Sequence, residues 1–361
     1  MMSKRMITGL GCLAGMVAMA VFAQAPAPAP AAPAPQQGPG VQAPADARYP
    51  EWITSKCKVP PPPRGGGRGA PAGQAAPGAA AAAGPPAHRD YAVTAIPGVI
   101  AAGQRWKSIW TGTGNNADGI IASDEGILAA QNTNSSVMKI DKNNKVSFPY
   151  KDTNTGGSVS MNKKGALFIV SRGLPTSVWQ LAPRRRLVAN MYNGEPFECI
   201  GGVINDLTAD SKGGVYFTMG GLFYINPKGE VTRYGENLQT NGVVLSADEK
   251  TLYVTTRGLV AFDVQPDGSL TNQRQFSTVG ADGTAIDSAG RIYTTTNGPD
   301  GVAVLAPDGK VLGMIPTPLN FITVAFSGKD KKTLYGVANN QRFDEIFTIE
   351  MIAQGYKDRA K

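Results

Sequence analysis

Residues 118–131 read DGIIASDEGILAAQ: a polar residue, a glycine, two apolar residues, a turn carrying Asp and Gly, and an apolar run. The pattern returns as GSVSMNKKGALFIVS from Gly157, NDLTADSKGGVYFT from Asn205, NGVVLSADEKTLYVTT from Asn241, DGTAIDSAGRIYTTT from Asp282 and ITVAFSGKDKKTLYGVA from Ile322. The six starts lie 39, 48, 36, 41 and 40 residues apart. That period belongs to propeller blades rather than to helical or leucine-rich repeats.

Each copy continues into further strands joined by hairpin turns, as in Val137–Asp141, Lys142-Asn143-Asn144 and Lys145–Phe148. Pro-Lys-Gly at 227–229 and Pro-Asp-Gly at 307–309 are turn chemistry, Pro presetting φ and Gly accepting the positive φ that ends the turn. Four antiparallel strands per copy follow, so the predicted fold is an all-β, six-bladed β-propeller. The stretch Tyr91–Trp110 precedes the first copy and supplies the outer strand that closes the ring against the last.

The first residue of each copy carries the functional signal. Asp118, Asn205 and Asp282 stand eight residues ahead of Gly126, Gly213 and Gly290, which marks them as equivalent positions in turns of equal length. The innermost strand of a propeller blade begins beside the central channel, so such residues converge on one axial point. Asp118, Asn205, Asn241 and Asp282 are predicted to form a ring of oxygen donors, with Gly157 and Ile322 at the same place in the other two blades. Two carboxylates and two amides suit Ca²⁺, or Mg²⁺, Mn²⁺ or Zn²⁺, with water completing the shell. The competing reading is that Asp-Gly and Asn-Gly are simply turn dipeptides. Loops after the second strands overhang this ring, and Arg172, Arg257, Asn297 and Arg342 on them are candidates to touch a polar ligand.

The flanks obey different rules. Met1–Ala23 combines Lys4 and Arg5, an apolar run Met6–Phe22 and the small-residue signal Val21-Phe22-Ala23, the pattern of a cleaved secretory signal peptide. The run is shorter than the roughly 20 residues that span a bilayer, so no transmembrane segment is expected in the mature chain. Export to the periplasm or the extracellular space is the corresponding expectation. Residues 24–90 are dominated by Ala, Pro and Gly and cannot bury enough apolar surface to offset their ordering entropy. They read as a disordered tether, and only the island Arg48–Ile53, with two aromatic residues, has the means to dock.

Of three cysteines, Cys57 and Cys199 remain after removal of the signal. With no spacing motif to pair them, a free buried thiol at Cys199 is expected; the alternative is a disulfide clamping the tether to the loop before Asn205. Neither CxxC nor CxxCH occurs, which excludes thiolate metal sites and c-type haem attachment. The formal charge is +8, yet Arg184-Arg185-Arg186 reads as a solvated hairpin tip without any nucleic-acid recognition element. The only histidine, His88, lies in the tether, which excludes a histidine-assisted serine triad in the folded region. The oligomeric state is left open.

The ordered set Asn205-Asp206-Leu207 with Asp210, Gly213 and Tyr216-Phe217-Thr218, then Asn241-Gly242 with Ser246, Asp248 and Leu252-Tyr253-Val254, then Asp282-Gly283 with Asp287 and Gly290, resembles the gluconolactonase family, also called the senescence marker protein 30 family. Ala325-Phe326-Ser327-Gly328 with Leu334-Tyr335 fits its last blade, and the resemblance covers about 118–338. It implies a six-bladed propeller with one divalent ion in the channel and hydrolysis of a sugar lactone. It implies Asp118, Asn241 and Asp282 as metal ligands, Asn205 on the substrate side, and Asp282 as the base, with Asp118 as the alternative. Three positions depart from the family pattern: Asp118 replaces a longer Glu, Val203 an Arg, and Met219 an acidic residue. These departures bear on lactone specificity and keep open a propeller that binds a sugar, metabolite or protein without catalysis, or one that only scaffolds an assembly.

Overall fold

The computed structural model describes residues 47–61, 85–235, 238–296, 301–340 and 342–358. The signal segment, most of the tether and Asn297 lie outside the described residues. All of the described residues fall within one compact unit, 34–361.

Six antiparallel four-stranded sheets make up the propeller. Their innermost strands are Ile120–Ser123, Gly156–Met161, Leu207–Ala209, Val243–Leu245, Thr284–Ile286 and Phe321–Ser327. Five blades are built from consecutive strands, whereas the sixth takes its outermost strand, Lys107–Thr113, from ahead of the first blade. That strand pairs antiparallel with Phe343–Glu350, Lys107 opposite Thr348 and Thr113 opposite Phe343. The expected closing strand is therefore present, overlapping the predicted stretch at 107–110 and running past it to Thr113.

Burial falls from the axis outward. The second strands Gly126–Gln131 and Leu167–Ser171 are buried at every position, while the outer strand Val146–Lys151 is largely exposed. Apolar side chains meet between blades rather than in a single centre. Ile121, Leu128 and Val137 pack with Val159, Leu167 and Ile169 between the first two blades, and Tyr216, Leu222 and Tyr224 pack with Val243, Leu252 and Val254 between the third and fourth. Each wedge removes both faces of its sheets from water, which explains the near-continuous apolar character of the inner strands.

The far turns have a common design. Asn162, Asp210 and Asp287 each accept the backbone N–H groups two and four residues on with one side-chain oxygen. Gly165, Gly213 and Gly290 then take φ of 77°, 99° and 78° to finish the turn, a region that favours glycine. Blade one differs from the expectation. Ser123 pairs directly with Gly126, leaving a tighter turn in which Asp124 holds the positive φ of 53°. Gly126 is thus not the counterpart of Gly213 and Gly290; it is small because a Cβ there would lie 2.0 Å from the Ile140 carbonyl oxygen.

The long interval between the second and third copies is an insertion made of a short hairpin, Met191–Tyr192 with Glu195–Pro196, and a 3-10 turn, Phe197–Ile200. A helix at Tyr49–Lys56, started by Pro50 in its first turn, reaches this insertion and buries Ile53. Cys57 at the helix end and Cys199 form a disulfide, with Cα atoms 5.3 Å apart. The free thiol expected at Cys199 is therefore corrected: the aromatic island docks as a helix, and docking supplies the proximity that chain spacing could not reveal. Residues from 85 onward also lie against the propeller rather than apart from it. Arg89 donates to Asn320 Oδ1 and the Thr317 carbonyl, and His88 Nε2 pairs with Glu345 Oε2 at 2.9 Å.

Among the described residues no helix is long and apolar enough to cross a membrane. In the basic run, Arg185 stacks over Trp179 and Arg186 donates to Gln180 Oε1 at the turn that leads into the strand Arg186–Ala189.

Candidate metal and substrate site

Backbone register, not side-chain type, establishes that the ring positions are equivalent. Asp118 N–H donates to the Ala130 carbonyl, Asn205 N–H to Thr218 and Asn241 N–H to Thr255. In return Ala130 donates to Gly119, Thr218 to Asp206, Thr255 to Gly242 and Thr295 to Gly283. Each ring residue therefore sits just ahead of its inner strand, opposite the end of the second strand of its blade.

The turn-dipeptide reading fails at this point. Gly119, Gly242 and Gly283 are absent from the residues of positive φ, so no turn requires them. They are small because the next blade passes too close: a Cβ on Gly119 would meet Ser158 Oγ at 2.1 Å, on Gly242 the Asp282 carbonyl oxygen at 2.4 Å, and on Gly283 Thr323 Oγ1 at 2.3 Å. In the third blade this position is Asp206. Its carboxylate accepts Ser158 Oγ–H at 2.7 Å and the Leu207 and Val243 amides at 2.9 and 2.8 Å, joining three blades at the axis.

Asp118, Asn205, Asn241 and Asp282 line one small cavity together with Asp206, Ser158 and Thr323. It holds about 10 Å³, room for roughly one water-sized sphere. Asn205 Nδ2 donates to Asn241 Oδ1, and Asn241 in turn hydrogen-bonds Asp282. The Asp282 carboxyl is pushed up to about 8, first by burial and then by the charges of Asp118 and Asp206, against the Asn241 hydrogen bond and the field of Arg172.

Arg172 stands on the predicted overhanging loop, but its side chain turns down into the ring and is wholly buried. Nη1 reaches Asp118 Oδ2 at 2.5 Å and Asn132 Oδ1 at 3.1 Å, Nη2 reaches Asn205 Oδ1 at 2.7 Å, and Nε reaches the Ile204 carbonyl at 3.0 Å. It is part of the ring's own electrostatics, not a free hand at the channel mouth. Arg257 and Arg342 are exposed on their loops. Val203 and Met219 are buried, Met219 within the apolar wedge of the second and third blades.

Three polar residues of the site escape a reading of the sequence. Asn132 donates to Asp118 Oδ2 at 2.9 Å from a loop that the repeat marks only as a whole. Asp206 carries a carboxylate where three other copies have glycine, a contrast visible in the aligned repeats. Asp344, fully buried at the start of the sixth blade's third strand, accepts the Asn116 amide at 2.6 Å, and its carboxyl is pushed up to about 7 by burial and by Asp118. No repeat position marks Asp344, because third strands lack the regularity of first ones.

Among the described residues no three side chains drawn from His, Cys, Asp and Glu converge as a metal cluster, so a cation here would rest on the mixed carboxylate and amide set. That set fits a hard divalent ion: the donors are all oxygen, the cavity admits one small sphere, and the negative charges of Asp118 and Asp206 raise the Asp282 carboxyl in spite of Arg172.

Residues 127–338 match the family described as the SMP-30/Gluconolactonase/LRE-like region. Among curated relatives, the lactonase drp35 of Staphylococcus haemolyticus is 31% identical over 212 residues, 50% of this chain and 63% of that protein. The chain thus spans less than two thirds of that relative's length. Among solved structures, a gluconolactonase from Xanthomonas campestris is similar with a TM-score of 0.62 at 20% identity, covering 75% of this chain and 99% of that one. A calcium-binding protein, regucalcin, from Agrobacterium tumefaciens is similar with a TM-score of 0.58 at 15% identity, covering 70% and 98%. At these identities the two structures speak for the fold alone.

Proposed function

The chain belongs to the SMP-30/gluconolactonase/LRE-like family, and from that membership we propose that it is an exported, divalent-ion-dependent hydrolase of a cyclic ester, most simply a sugar lactone. The observation that carries the proposal is the convergence of Asp118, Asn205, Asn241 and Asp282 on one axial cavity in equivalent backbone positions. Asp118, Asn241 and Asp282 would hold the ion. Calcium suits the all-oxygen donor set. When bound, such an ion supplies a Lewis acid for an ester carbonyl.

The chain's own residues divide the remaining work. Asp118 already accepts from Arg172 and Asn132, whereas Asp282 has a side-chain bond from Asn241 and lies in the negative field of Asp118 and Asp206. Asp282 is thus the better proton acceptor as water adds to the acyl carbon. The ring C–O bond then breaks, the proton passes to the leaving alkoxide, and a hydroxy acid departs. Asn205, held between Arg172 and Asn241, presents an amide to the carbonyl or to a ring hydroxyl. Export is supported by the Cys57–Cys199 disulfide, which persists in an oxidising compartment.

Asp282→Asn tests the assignment, since it keeps the shape and removes the acceptor. Lactone turnover should fall by about a hundredfold or more. Undiminished kcat would remove Asp282 from the chemistry, and a protein that binds ions and sugars but turns over no lactone would be a binding propeller.

A further inference from the structure

The second blade has no side chain at the ring position itself, because Gly157 stands where four other blades carry Asp or Asn. The space is not left over. A Cβ at Gly157 would lie 2.5 Å from Arg172 Nε and 2.7 Å from Cζ, so the missing side chain is what admits the guanidinium. Blade two therefore contributes a cation to the ring from the end of its second strand, through a residue with no regular place in the repeat.

Four donations from Arg172 are made to fixed acceptors, and two of these acceptors, Asp118 Oδ2 and Asn205 Oδ1, belong to ring residues that line the cavity. Asn205 then passes its own amide N–H to Asn241, so the position of one guanidinium fixes the orientation of three ring side chains. A bidentate-capable, permanently charged group in this place does what a metal would do there: it holds carboxylate and amide oxygens together and offsets their charge.

We propose that Arg172 is the resident cation of the unloaded ring and that a divalent ion binds in exchange with its guanidinium. The proposal rests on the metal-binding reading above. An incoming ion needs the Asp118 carboxylate, whose Oδ2 Arg172 occupies, and it meets the like charge of the guanidinium beside the ring. The chain thereby sets its ion affinity below what the oxygen donors alone would give, and binding re-orients Asn205, the residue placed on the substrate side.

The test is calcium titration by calorimetry, with melting temperature as a second readout, on the chelator-treated full chain, on Arg172→Gln and on Gly157→Ala. Arg172→Gln removes the charge; Gly157→Ala leaves it in the protein but evicts it from the ring. Both variants should bind calcium at least tenfold more tightly than the wild type. Both should also melt lower than the wild type without calcium and gain more from its addition. If Arg172→Gln does not fold, Gly157→Ala decides. Calcium binding by the wild type with unchanged or weaker affinity in the variants overturns the exchange while leaving the metal site intact. Folded proteins that all fail to bind calcium, magnesium, manganese or zinc overturn the metal reading, and the exchange with it.

Discussion

Asp282 is the residue at which burial, neighbouring charge and chemistry meet. Burial and neighbouring negative charge push its carboxyl up to about 8 and that of Asp344 up to about 7, both well above the roughly 3.9 of an unfolded aspartate. Between about pH 4 and those values the folded chain holds protons that the unfolded chain has released, so stability must fall as pH rises across the window. The melting temperature of chelated protein should therefore decline from pH 5 to pH 9. Asp282→Asn should flatten the upper part of that slope, and an unchanged slope would contradict the account. An ion that needs the Asp282 carboxylate must displace its proton, so apparent affinity should rise by up to about tenfold per pH unit below 8 and level off above it. Gly119 and Gly283 make a second case at this scale. Alanine there would press on Ser158 or Thr323 of the next blade, and each substitution should cost about 1–3 kcal/mol in denaturant melts. A neutral result would mean that the blades can separate at the axis.

The N-terminal helix and its disulfide are the element whose role is hardest to read from sequence. Tyr49–Lys56 lies outside the propeller repeat, and its aromatic residues are equally compatible with an undocked tail. Only the contact with the insertion Phe197–Ile200 shows why the third copy begins late and why two distant cysteines pair. Closing so long a loop stabilises by about 2–4 kcal/mol, so the Cys57→Ser, Cys199→Ser double variant should lose that amount in reversible melts. A melt matching the wild type would show that the disulfide adds nothing to the stability of the fold. The inner strands are legible in the sequence because both of their faces are covered, which imposes an unbroken apolar run. The ring is legible because its residues hold a fixed register against the second strands. Arg172 reads as a loop residue facing a ligand and not as part of the ring, and Asn132 and Asp344 do not read as site residues at all, since loop tips and third strands carry no such register. The backbone can bring their side chains inward from several sequence positions.

At the scale of the whole propeller, one strand from ahead of the first blade holds the ring closed. Deleting Lys107–Thr113 would leave the edge of Phe343–Glu350 unpaired. It would also remove Ile109 and Trp110 from the apolar wedge that contains Val337 and Ile346, opening those buried side chains to water. The deletion variant should melt without cooperativity or associate through its open edge, as sedimentation velocity would report. A monomer with wild-type melting would contradict closure by this strand.

Closure matters because it brings the first residues of four blades to one axial point, and the central claim is that this ring is an ion-dependent lactonase site. Its most direct test is turnover by the full chain. Hydrolysis of gluconolactone and a small panel of γ- and δ-lactones would be followed before chelation, after it, and after restoring Ca²⁺, Mg²⁺, Mn²⁺ or Zn²⁺ one at a time. The account predicts turnover that chelation abolishes and one ion restores. Turnover that survives complete chelation, or none with any ion on any lactone, would contradict it.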